Sequence, residues 1–426
     1  MRKRPPSSAA RKCLYVVYWG ATEPIGQAGT VPTVIHLAER EGEAVFLVTF
    51  DKPADASDRR LVSSLRERFS LAGVKWDDLR YTKHPANLST AWDIVKGVTW
   101  CSYLVVRHRI PVVHGRTFVG GIIGSLVRSL VPGVRFVCHP DGFWPHERVD
   151  DGVWREGSRA HRLALNIERF MYHRADAIVV LSTRAREALR RDPALRTKPI
   201  HVIHTSVDVS RFELAAPRRP GEPMRIVYLG SLGGRYMSKD VFRLLALAHR
   251  RRGAHCTVAT RATQHVASAF ESSGTTADDI EVISLEPENV PGFLVTQHAG
   301  VFMLAAGRSN IATSATKVGE YLAAGLPVLL TSECGDLDQI VSTTGTGVVL
   351  RGLSDADLEE GLERLDVLTR DPETPSRCRR TAAQYMGLAS VAAVQAEIHR
   401  AVLGDARQRP AELDGGEAAD LRSEPE

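Results

Sequence analysis

The sequence of 426 residues lacks the features that mark secreted, membrane-spanning or nucleic-acid-binding proteins. Its six cysteines are scattered, and no two have metal-ligand spacing, so they indicate reduced thiols rather than a disulfide framework. The longest apolar run, Phe118 to Val131, is interrupted by Arg128 and is too short to span a bilayer. The formal net charge of +5 is small for this length and does not require nucleic acid as a partner. These absences favour a cytoplasmic protein.

The dinucleotide-binding fingerprint G-x-G-x-x-G is also missing from its usual place. An apolar strand, Leu14 to Trp19, is followed by a loop that contains Gly20, Gly26 and Gly29, whose spacing differs from the fingerprint. Asp51 stands alone near the end of the next strand, where a ribose-binding acid would lie. Strand, glycine loop, helix and strand open a Rossmann-like domain, but a nicotinamide-dependent dehydrogenase is disfavoured.

The sequence does contain an alternation of strands and helices that stops at a proline-rich, charged stretch and then starts again. This pattern predicts an α/β fold in which two Rossmann-like βαβ domains face each other across a cleft, where ligands usually bind. The predicted parts are a flexible N-terminus (1–13), an N-terminal Rossmann-like domain (14–210), a linker (211–223), a C-terminal Rossmann-like domain (224–385), a C-terminal helix (386–404) and a disordered tail (405–426). Whether the C-terminal helix crosses back to the N-terminal domain is left open.

The segment from Ser314 to Asp336 predicts a helix of about three turns followed directly by a buried strand. Thr316 or Ser314 can cap this helix, whose first backbone N–H groups then face outward. Lys317 stands in the first turn, where the helix dipole disfavours a cation, so an anion site that binds phosphate explains its position better. Glu320 lies on the same face. The alternative is a surface helix with an exposed Lys–Glu pair.

A second unusual segment, Cys138 to Trp154, follows a predicted strand and is polar, aromatic and not periodic. Ligands of open parallel sheets bind at the carboxyl ends of the strands, so this segment is a candidate for substrate contact. The alternative is a surface excursion whose tryptophans cover the core.

Three segments resemble the retaining, nucleotide-sugar-dependent glycosyltransferases of family 4, which have the GT-B fold. Residues 314–336 resemble the donor-site signature of that family. Residues 25–53 resemble the opening loop, helix and second strand of one bacterial subgroup, and residues 141–154 resemble its acceptor-side loop. Together with IVYLGSLGGRY at 226–236, these segments stand in the family's order over roughly residues 14 to 345.

The resemblance implies a donor site in the C-terminal domain. Glu320 would hold the ribose hydroxyls, and the backbone amides near Thr316 and Lys317 would meet the diphosphate. A glycine turn would approach the phosphates, and a nearby side chain would supply a cation. This side chain is either Arg235 or Lys239, and the choice stays open because the loop spacing departs from the common family pattern. The expected donor-binding residues are Gly26, Gly230, Ser231, Arg235, Lys239, Ser309, Asn310, Thr316, Lys317 and Glu320.

Two positions depart from the family pattern. Ala312 stands where many members carry a glutamate that contacts the donor sugar, so Ser309, Asn310 and backbone amides are expected to make that contact. Asp141 stands where the subgroup usually has arginine, which reverses a charge in the cleft and leaves the acceptor unassigned.

The candidate catalytic residues are His139, Asp141, Glu147 and Arg148. His139 is either a polar contact at the transferred sugar or a structural histidine bonded to a loop carbonyl. Glu147 and Arg148 either act in the cleft or form an internal ion pair that shapes the loop.

The expected activity is transfer of a hexose from a nucleoside diphosphate to a hydroxyl acceptor. UDP and GDP are the favoured nucleotides. The acceptor is a glycan, a lipid-linked glycan or a small molecule. The family needs no catalytic metal, and no Asp-x-Asp motif follows a predicted strand, so neither metal nor other cofactor is expected. A nucleotide-sugar epimerase, a hydrolase or a nucleotide-sugar-binding protein on the same fold is the alternative. A predicted basic helix contains Arg184, Arg186, Arg190 and Arg191. Such a helix could bind anionic lipid at the inner face of a membrane, so peripheral membrane contact is left open.

Overall fold

The computed structural model of the chain describes residues 10–18, 20–52, 57–82 and 86–404. It confirms the predicted α/β class, since the chain forms two all-parallel sheets with interleaved helices. No helix within these residues combines the length and the hydrophobicity needed to cross a bilayer. β1 begins at Lys12, inside the predicted flexible N-terminus, while residues 1–9 and the predicted tail (405–426) lie outside the described residues.

The N-terminal sheet has seven parallel strands in the order β3-β2-β1-β4-β5-β6-β7. The strands are β1 (Lys12–Val17), β2 (Ala44–Asp51), β3 (Lys75–Arg80), β4 (Val112–Arg116), β5 (Arg135–His139), β6 (Ala177–Val180) and β7 (Ile200–Val202). The helices are α1 (Val31–Glu39), α2 (Arg59–Ala72), α3 (Ala86–His108), α4 (Thr117–Leu130), α5 (Trp144–Asp150), α6 (Arg159–Arg174) and α7 (Thr183–Arg190). Tyr15 and Leu14 of β1 belong to apolar clusters on opposite faces, so the sheet is covered on both sides.

The C-terminal sheet repeats this design with six parallel strands in the order β10-β9-β8-β11-β12-β13. The strands are β8 (Arg225–Leu229), β9 (His255–Ala259), β10 (Glu281–Ile283), β11 (Ala299–Phe302), β12 (Val328–Leu330) and β13 (Gly347–Val349). The helices are α8 (Ser238–Arg252), α9 (Val266–Ser273), α10 (Val290–Leu294), α11 (Thr316–Ala323), α12 (Leu337–Thr344), α13 (Asp355–Arg370), α14 (Thr374–Met386) and α15 (Leu388–Val402).

The carboxyl edges of the two sheets face each other, which places the cleft between them. All strands of each sheet are parallel, so the loops that follow them collect at one edge. The loop regions of the two edges are in direct contact. The Ser309 N–H donates to Asp150 Oδ2 at 2.8 Å, and Arg308 forms an ion pair with Glu156.

The predicted linker (211–223) is bonded to the C-terminal domain rather than free. The Ala215 N–H donates to the Ala324 carbonyl at 2.8 Å, and the side chain of Arg218 is buried in an ion pair with Asp366.

α15 leaves the C-terminal domain and packs on the N-terminal one. Val391, Ala392 and Ile398 of this helix lie in the same apolar cluster as β1 and α1. The last helix therefore completes the N-terminal core.

The substitution Val391→Ala should lower the free energy of unfolding by about 2 kcal/mol, because it deletes two methyl groups from a site that is 2% exposed. The matched control is Val367→Ala on α13, where the side chain is 68% exposed, and it should leave stability unchanged or slightly higher. Urea unfolding of both variants measures the difference. Equal effects would mean that α15 does not dock on the N-terminal core.

Candidate active site

A lysine ammonium is enclosed beneath the glycine turn that follows β8. The Nζ of Lys317 lies 4.7 Å from the ring centre of Tyr228, 4.6 Å from that of Tyr236 and 5.5 Å from that of Phe302. It is shielded from solvent and has no hydrogen-bond partner among the residues that the structure describes. Gly230, at φ 125°, covers it so closely that an added Cβ would lie 2.5 Å from Nζ.

Burial controls the ionisation of this lysine and of the nearby glutamate. It lowers the pKa of Lys317 to about 7, an effect that Glu320 partly offsets. It raises the pKa of Glu320 to about 7 against the opposing pull of Arg211 and Lys317. The interpretation of Lys317 and Glu320 as an exposed surface pair is therefore wrong.

The expected side-chain cap of α11 is absent from the structure. Ala315 is the residue before the helix, and no side chain of the described residues accepts a hydrogen bond at this N-cap. The Oγ of Ser314 instead accepts from the Thr205 N–H at 3.0 Å, a contact with the chain that leaves the N-terminal domain. Thr316 and Lys317 are the first two helical residues, so their backbone N–H groups have no partner within the helix.

Arg235 joins the two sides of the cleft. Its Nη1 donates to Ser309 Oγ at 2.8 Å, and its Nη2 donates to Glu147 Oε1 at 3.2 Å. Burial raises the pKa of Glu147, and the contact with Arg235 partly offsets that rise. Lys239, the other candidate for a phosphate-binding cation, is exposed at the start of α8.

Ser309 and Asn310 are buried in a short 3₁₀ segment beside this arginine. The Asn310 Nδ2 donates to the Ala305 carbonyl at 2.8 Å, while its Oδ1 has no hydrogen-bond partner in the described part of the chain. Ala312 is 3% exposed and lies in an apolar cluster that includes Phe143 of the N-terminal domain. Ala312 thus forms an apolar contact between the two domains.

Asp141, which stands where the resembled subgroup usually has arginine, is itself paired with an arginine. The Nε of Arg116, at the end of β4, donates to both carboxylate oxygens of Asp141, at 3.0 and 2.8 Å. Asp141 has φ 60°, which is strained for a residue with a side chain. The pair is partly buried and carries no net charge.

His139, the last residue of β5, is bonded to another histidine rather than to a loop carbonyl. Its Nδ1 lies 3.2 Å from Nε2 of His114, and its Nε2 lies 3.3 Å from Asp141 Oδ1 without hydrogen-bond geometry. Burial lowers the pKa of His139 to about 4 despite the nearby carboxylate, so the ring is neutral at neutral pH.

The acceptor-side segment contains a helix that the sequence did not predict. α5 begins at Trp144 and has Pro145 in its first turn, where a missing N–H costs nothing. The Nη2 of Arg148 donates to Asp151 Oδ2 at 2.6 Å, whereas Glu147 bonds Arg235. The expected internal pair of Glu147 and Arg148 is therefore wrong.

The remaining candidate residues are Ser231 and Gly26. Ser231 is exposed, and its carbonyl accepts from the Tyr228 hydroxyl at 2.5 Å. Gly26 begins a five-residue π-helical turn after β1, where an added Cβ would lie 2.3 Å from the Gly20 carbonyl oxygen. Gly26 therefore has a steric role in this turn.

Three side chains within the described residues could hold a metal ion, namely Cys13, Glu43 and His399, whose ligand atoms lie within 4.8 Å of one another. They lie at the amino edge of the sheet, away from the cleft. The Nδ1 of His399 is bonded to Glu43, and Arg11 faces the other carboxylate oxygen, so we assign no metal to this group.

Sequence reasoning missed three contributors to the cleft. Arg116 carries a recognisable signal, because it stands two residues after the strand predicted at Ile110–His114. Tyr236 and Asp150 carry none, because an aromatic residue in a loop and an acid in a polar segment are common.

Comparisons with known proteins give a family match and a shared fold. Residues 26–206 match the family described as glycosyl transferase 4-like domain, which confirms the resemblance for that part of the chain. No curated protein sequence matches the chain.

Several solved structures share the fold over nearly the whole length. A glycosyltransferase from Rickettsia africae has 12% identity and a TM-score of 0.65 over 94% of this chain and 100% of its own. An Anabaena protein in complex with UDP and glucose has 12% identity and a TM-score of 0.62 over 91% and 99%. A UDP-N-acetylglucosamine 2-epimerase has 14% identity and a TM-score of 0.59 over 95% and 99%. These matches confirm the GT-B fold.

The substitution Lys317→Met should stabilise the protein at pH 6, because it removes a buried ammonium that lacks a hydrogen bond. The folded-state pKa of about 7 lies below the unfolded value near 10.4, so the unfolded wild type binds more protons between these limits and its stability rises with pH there. The advantage of the variant should therefore shrink from pH 7 to pH 9 in thermal unfolding. The exposed control Lys239→Met should show no such trend, and a constant difference for Lys317→Met would contradict the burial.

Proposed function

We propose that this chain, a GT-B protein with a glycosyl transferase 4-like domain, is a retaining glycosyltransferase that moves a sugar from a nucleoside diphosphate to a hydroxyl acceptor. The observation that carries the proposal is the buried ammonium of Lys317 without a hydrogen bond, beside the open N-terminus of α11. A diphosphate supplies the negative charge that both features lack.

The donor phosphates would lie between the glycine turn and α11. Gly230 lets the backbone approach them, and Lys317 and the first N–H groups of α11 stabilise their charge. Arg235, rather than the exposed Lys239, supplies the second cation, since it already lies in the cleft against Ser309. Glu320 would accept the ribose hydroxyls, and UDP or GDP is the favoured nucleotide.

The donor sugar would lie toward the N-terminal domain. Asn310 Oδ1 is a buried acceptor without a hydrogen bond in the described residues, so it suits a sugar hydroxyl. Ala312 cannot serve in this way, because it is enclosed by apolar side chains. His139 and Glu147 face the same region from the N-terminal side.

The transfer would proceed without a catalytic metal. The acceptor hydroxyl attacks the anomeric carbon on the face from which the diphosphate leaves, and the bond from that carbon to the phosphate oxygen breaks. The leaving phosphate takes the proton of the acceptor hydroxyl, so no separate strong base is needed. Lys317, Arg235 and the helix N-terminus stabilise the charge that develops on the diphosphate.

A second candidate function is nucleotide-sugar epimerisation or hydrolysis. It is favoured by the absence of the family's sugar-binding glutamate at Ala312 and by the shared fold of a UDP-N-acetylglucosamine 2-epimerase. Incubation of the donor without acceptor separates the two, because an isomerised or free sugar would then accumulate.

Peripheral contact with a membrane is the last part of this proposal, and α3 carries it better than the basic helix α7. Arg184 of α7 is paired with Asp338 of the C-terminal domain. On α3 the exposed positions from residue 88 onward are Leu88, Ala91, Trp92, Val95, Thr99, Trp100, Tyr103, Val106 and Arg107. A helix face this long without an acid is unusual for a water-exposed surface.

The charge at one end of α3 fits an anionic lipid surface. Lys75, Arg107 and Lys12 surround His108, whose pKa falls through desolvation and the repulsion of these cations. Lys12 donates to the His108 carbonyl at 2.8 Å, which fixes this cation at the same end of α3. Aromatic side chains beside cations are typical of helices that lie in a membrane interface.

A nucleotide-release assay across UDP-, GDP-, ADP- and dTDP-sugars with a broad acceptor set should detect transfer. Arg235→Gln should weaken binding of the free nucleotide by roughly ten-fold or more, because a charge-assisted hydrogen bond is lost, while Lys239→Gln should change it less than about two-fold. Thermal stabilisation measures the affinities, since a ligand at one hundred times its dissociation constant adds about 2.7 kcal/mol. No release with any donor would refute the activity.

The double substitution Trp92→Ser/Val95→Ser should reduce co-sedimentation with vesicles that contain phosphatidylglycerol at least about five-fold, because two anchors of the α3 face are lost. Leu163→Ser on α6, where the side chain is 61% exposed, is the control and should bind as the wild type does. Vesicles of phosphatidylcholine alone should bind weakly. A dimer in solution that the double variant dissociates would instead assign the face to a second copy.

A further inference from the structure

A chain of buried side chains crosses the N-terminal domain from the amino edge of its sheet to the cleft. Glu43 Oε2 lies 2.9 Å from Nδ1 of His399, and Nε2 of His399 lies 3.0 Å from Nδ1 of His114. Nε2 of His114 lies 3.2 Å from Nδ1 of His139, whose Nε2 lies 3.3 Å from Asp141. Glu43, His399 and His114 are fully buried, and His139 is 2% exposed.

The parts of this chain come from four separate elements that the fold brings together. Glu43 precedes β2, His114 lies in β4, His139 ends β5, and His399 lies on α15. Tyr15 of β1 stacks on His114 with ring centres 4.3 Å apart. The ring of His114 is therefore held in place by packing as well as by hydrogen bonds.

The chain of hydrogen bonds has four links, and the protons of the two rings nearest the cleft decide which link is empty. Burial lowers the pKa of both His114 and His139, so each of these two rings is neutral and carries a single N–H. A proton on Nε2 of His139 would be a buried donor without an acceptor, because that atom has no hydrogen-bond partner in the described residues. The longest link, between His139 Nε2 and Asp141, is the one without hydrogen-bond geometry.

The empty link at the cleft fixes the position of every proton. His399 must donate from Nδ1 to Glu43, His114 from Nδ1 to His399, and His139 from Nδ1 to His114. Although burial raises it, the pKa of Glu43 falls below its usual value because of His399 and Cys13, so this end is a carboxylate at neutral pH. Nε2 of His139 is then left without a proton at the cleft.

We propose that Glu43, His399 and His114 are positioning residues that hold His139 as the Nδ1–H tautomer, so that its Nε2 can accept but not donate a hydrogen bond in the cleft. The partner of this nitrogen is a hydroxyl of the substrate. The tautomer is independent of the proposed function, whereas its effect on sugar transfer rests on that function.

A single substitution at Glu43, the end far from the cleft, should reverse the direction of the hydrogen bonds between the histidines. In Glu43→Gln the amide oxygen faces Arg11, which lies 3.6 Å from Glu43 Oε1, and the amide NH2 faces His399. His399 must then accept at Nδ1 and donate from Nε2, and the same change passes along the chain. His139 would become the Nε2–H tautomer and donate to Asp141, which fills all four links.

Proton-coupled ¹⁵N NMR of the full chain labelled at histidine nitrogen should show Nδ1–H for His399, His114 and His139 in the wild type, and Nε2–H for all three in Glu43→Gln. His139→Asn and His399→Asn variants assign the signals. The matched control is Tyr15→Phe, which removes a hydrogen bond of 2.5 Å to Gln395 in the same core but leaves the tautomers unchanged.

A proton on Nε2 of His139 in the wild type would overturn the proposal, and this measurement stands even if the variant does not fold. Unchanged tautomers in a folded Glu43→Gln would also overturn it. In the transfer assay Glu43→Gln should lower kcat about ten-fold, as expected for one lost hydrogen bond, with nucleotide affinity unchanged. Switched tautomers with full activity would refute the effect on transfer, whereas an inactive wild type would count against the proposed function and not against the tautomer.

Discussion

The C-terminal side of the cleft depends on one lysine ammonium that is enclosed by aromatic rings. Lys317 has no hydrogen bond within the described residues, and Gly230 is required above it because a Cβ would lie 2.5 Å from Nζ. Burying a cation in this way is costly, which is why its pKa falls to about 7. The aromatic faces compensate for part of the lost hydration, and an anion at the start of α11 would compensate for the rest. The glycine turn, the start of α11 and the aromatic rings thus all determine the environment of the Lys317 ammonium.

The two domains meet through pairs of opposite charge. Arg235 is paired with Glu147, and Arg308 with Glu156. A diphosphate would compete with the carboxylate of Glu147 for Arg235, which ties donor binding to the contact between the domains. α15 adds a third connection, because it starts in the C-terminal domain and places His399 in the N-terminal core.

Local patterns predicted the domains but not all their elements. Most strands were found because both faces of each sheet are buried, which gives short apolar runs. β3 was missed because its sequence, KWDDLR, is largely polar at the sheet edge. α5 was missed because seven residues that begin with Trp-Pro show no helical period. The cap predicted at Ser314 is absent because that hydroxyl bonds the other domain instead.

The sequence by itself determined the two α/β domains and the positions of Lys317 and Glu320, because strand periodicity, helix start signals and a local signature are properties of neighbouring residues. Only the tertiary structure decided which charges are paired. It joined Arg235 to Glu147, 88 positions apart, and His114 to His399, 285 positions apart. Such contacts depend on strand register and on how a distant helix docks, and no local pattern encodes either. Ala312 shows both levels, since the resemblance predicted only that a glutamate is absent there, and the fold revealed the apolar contact that this residue makes.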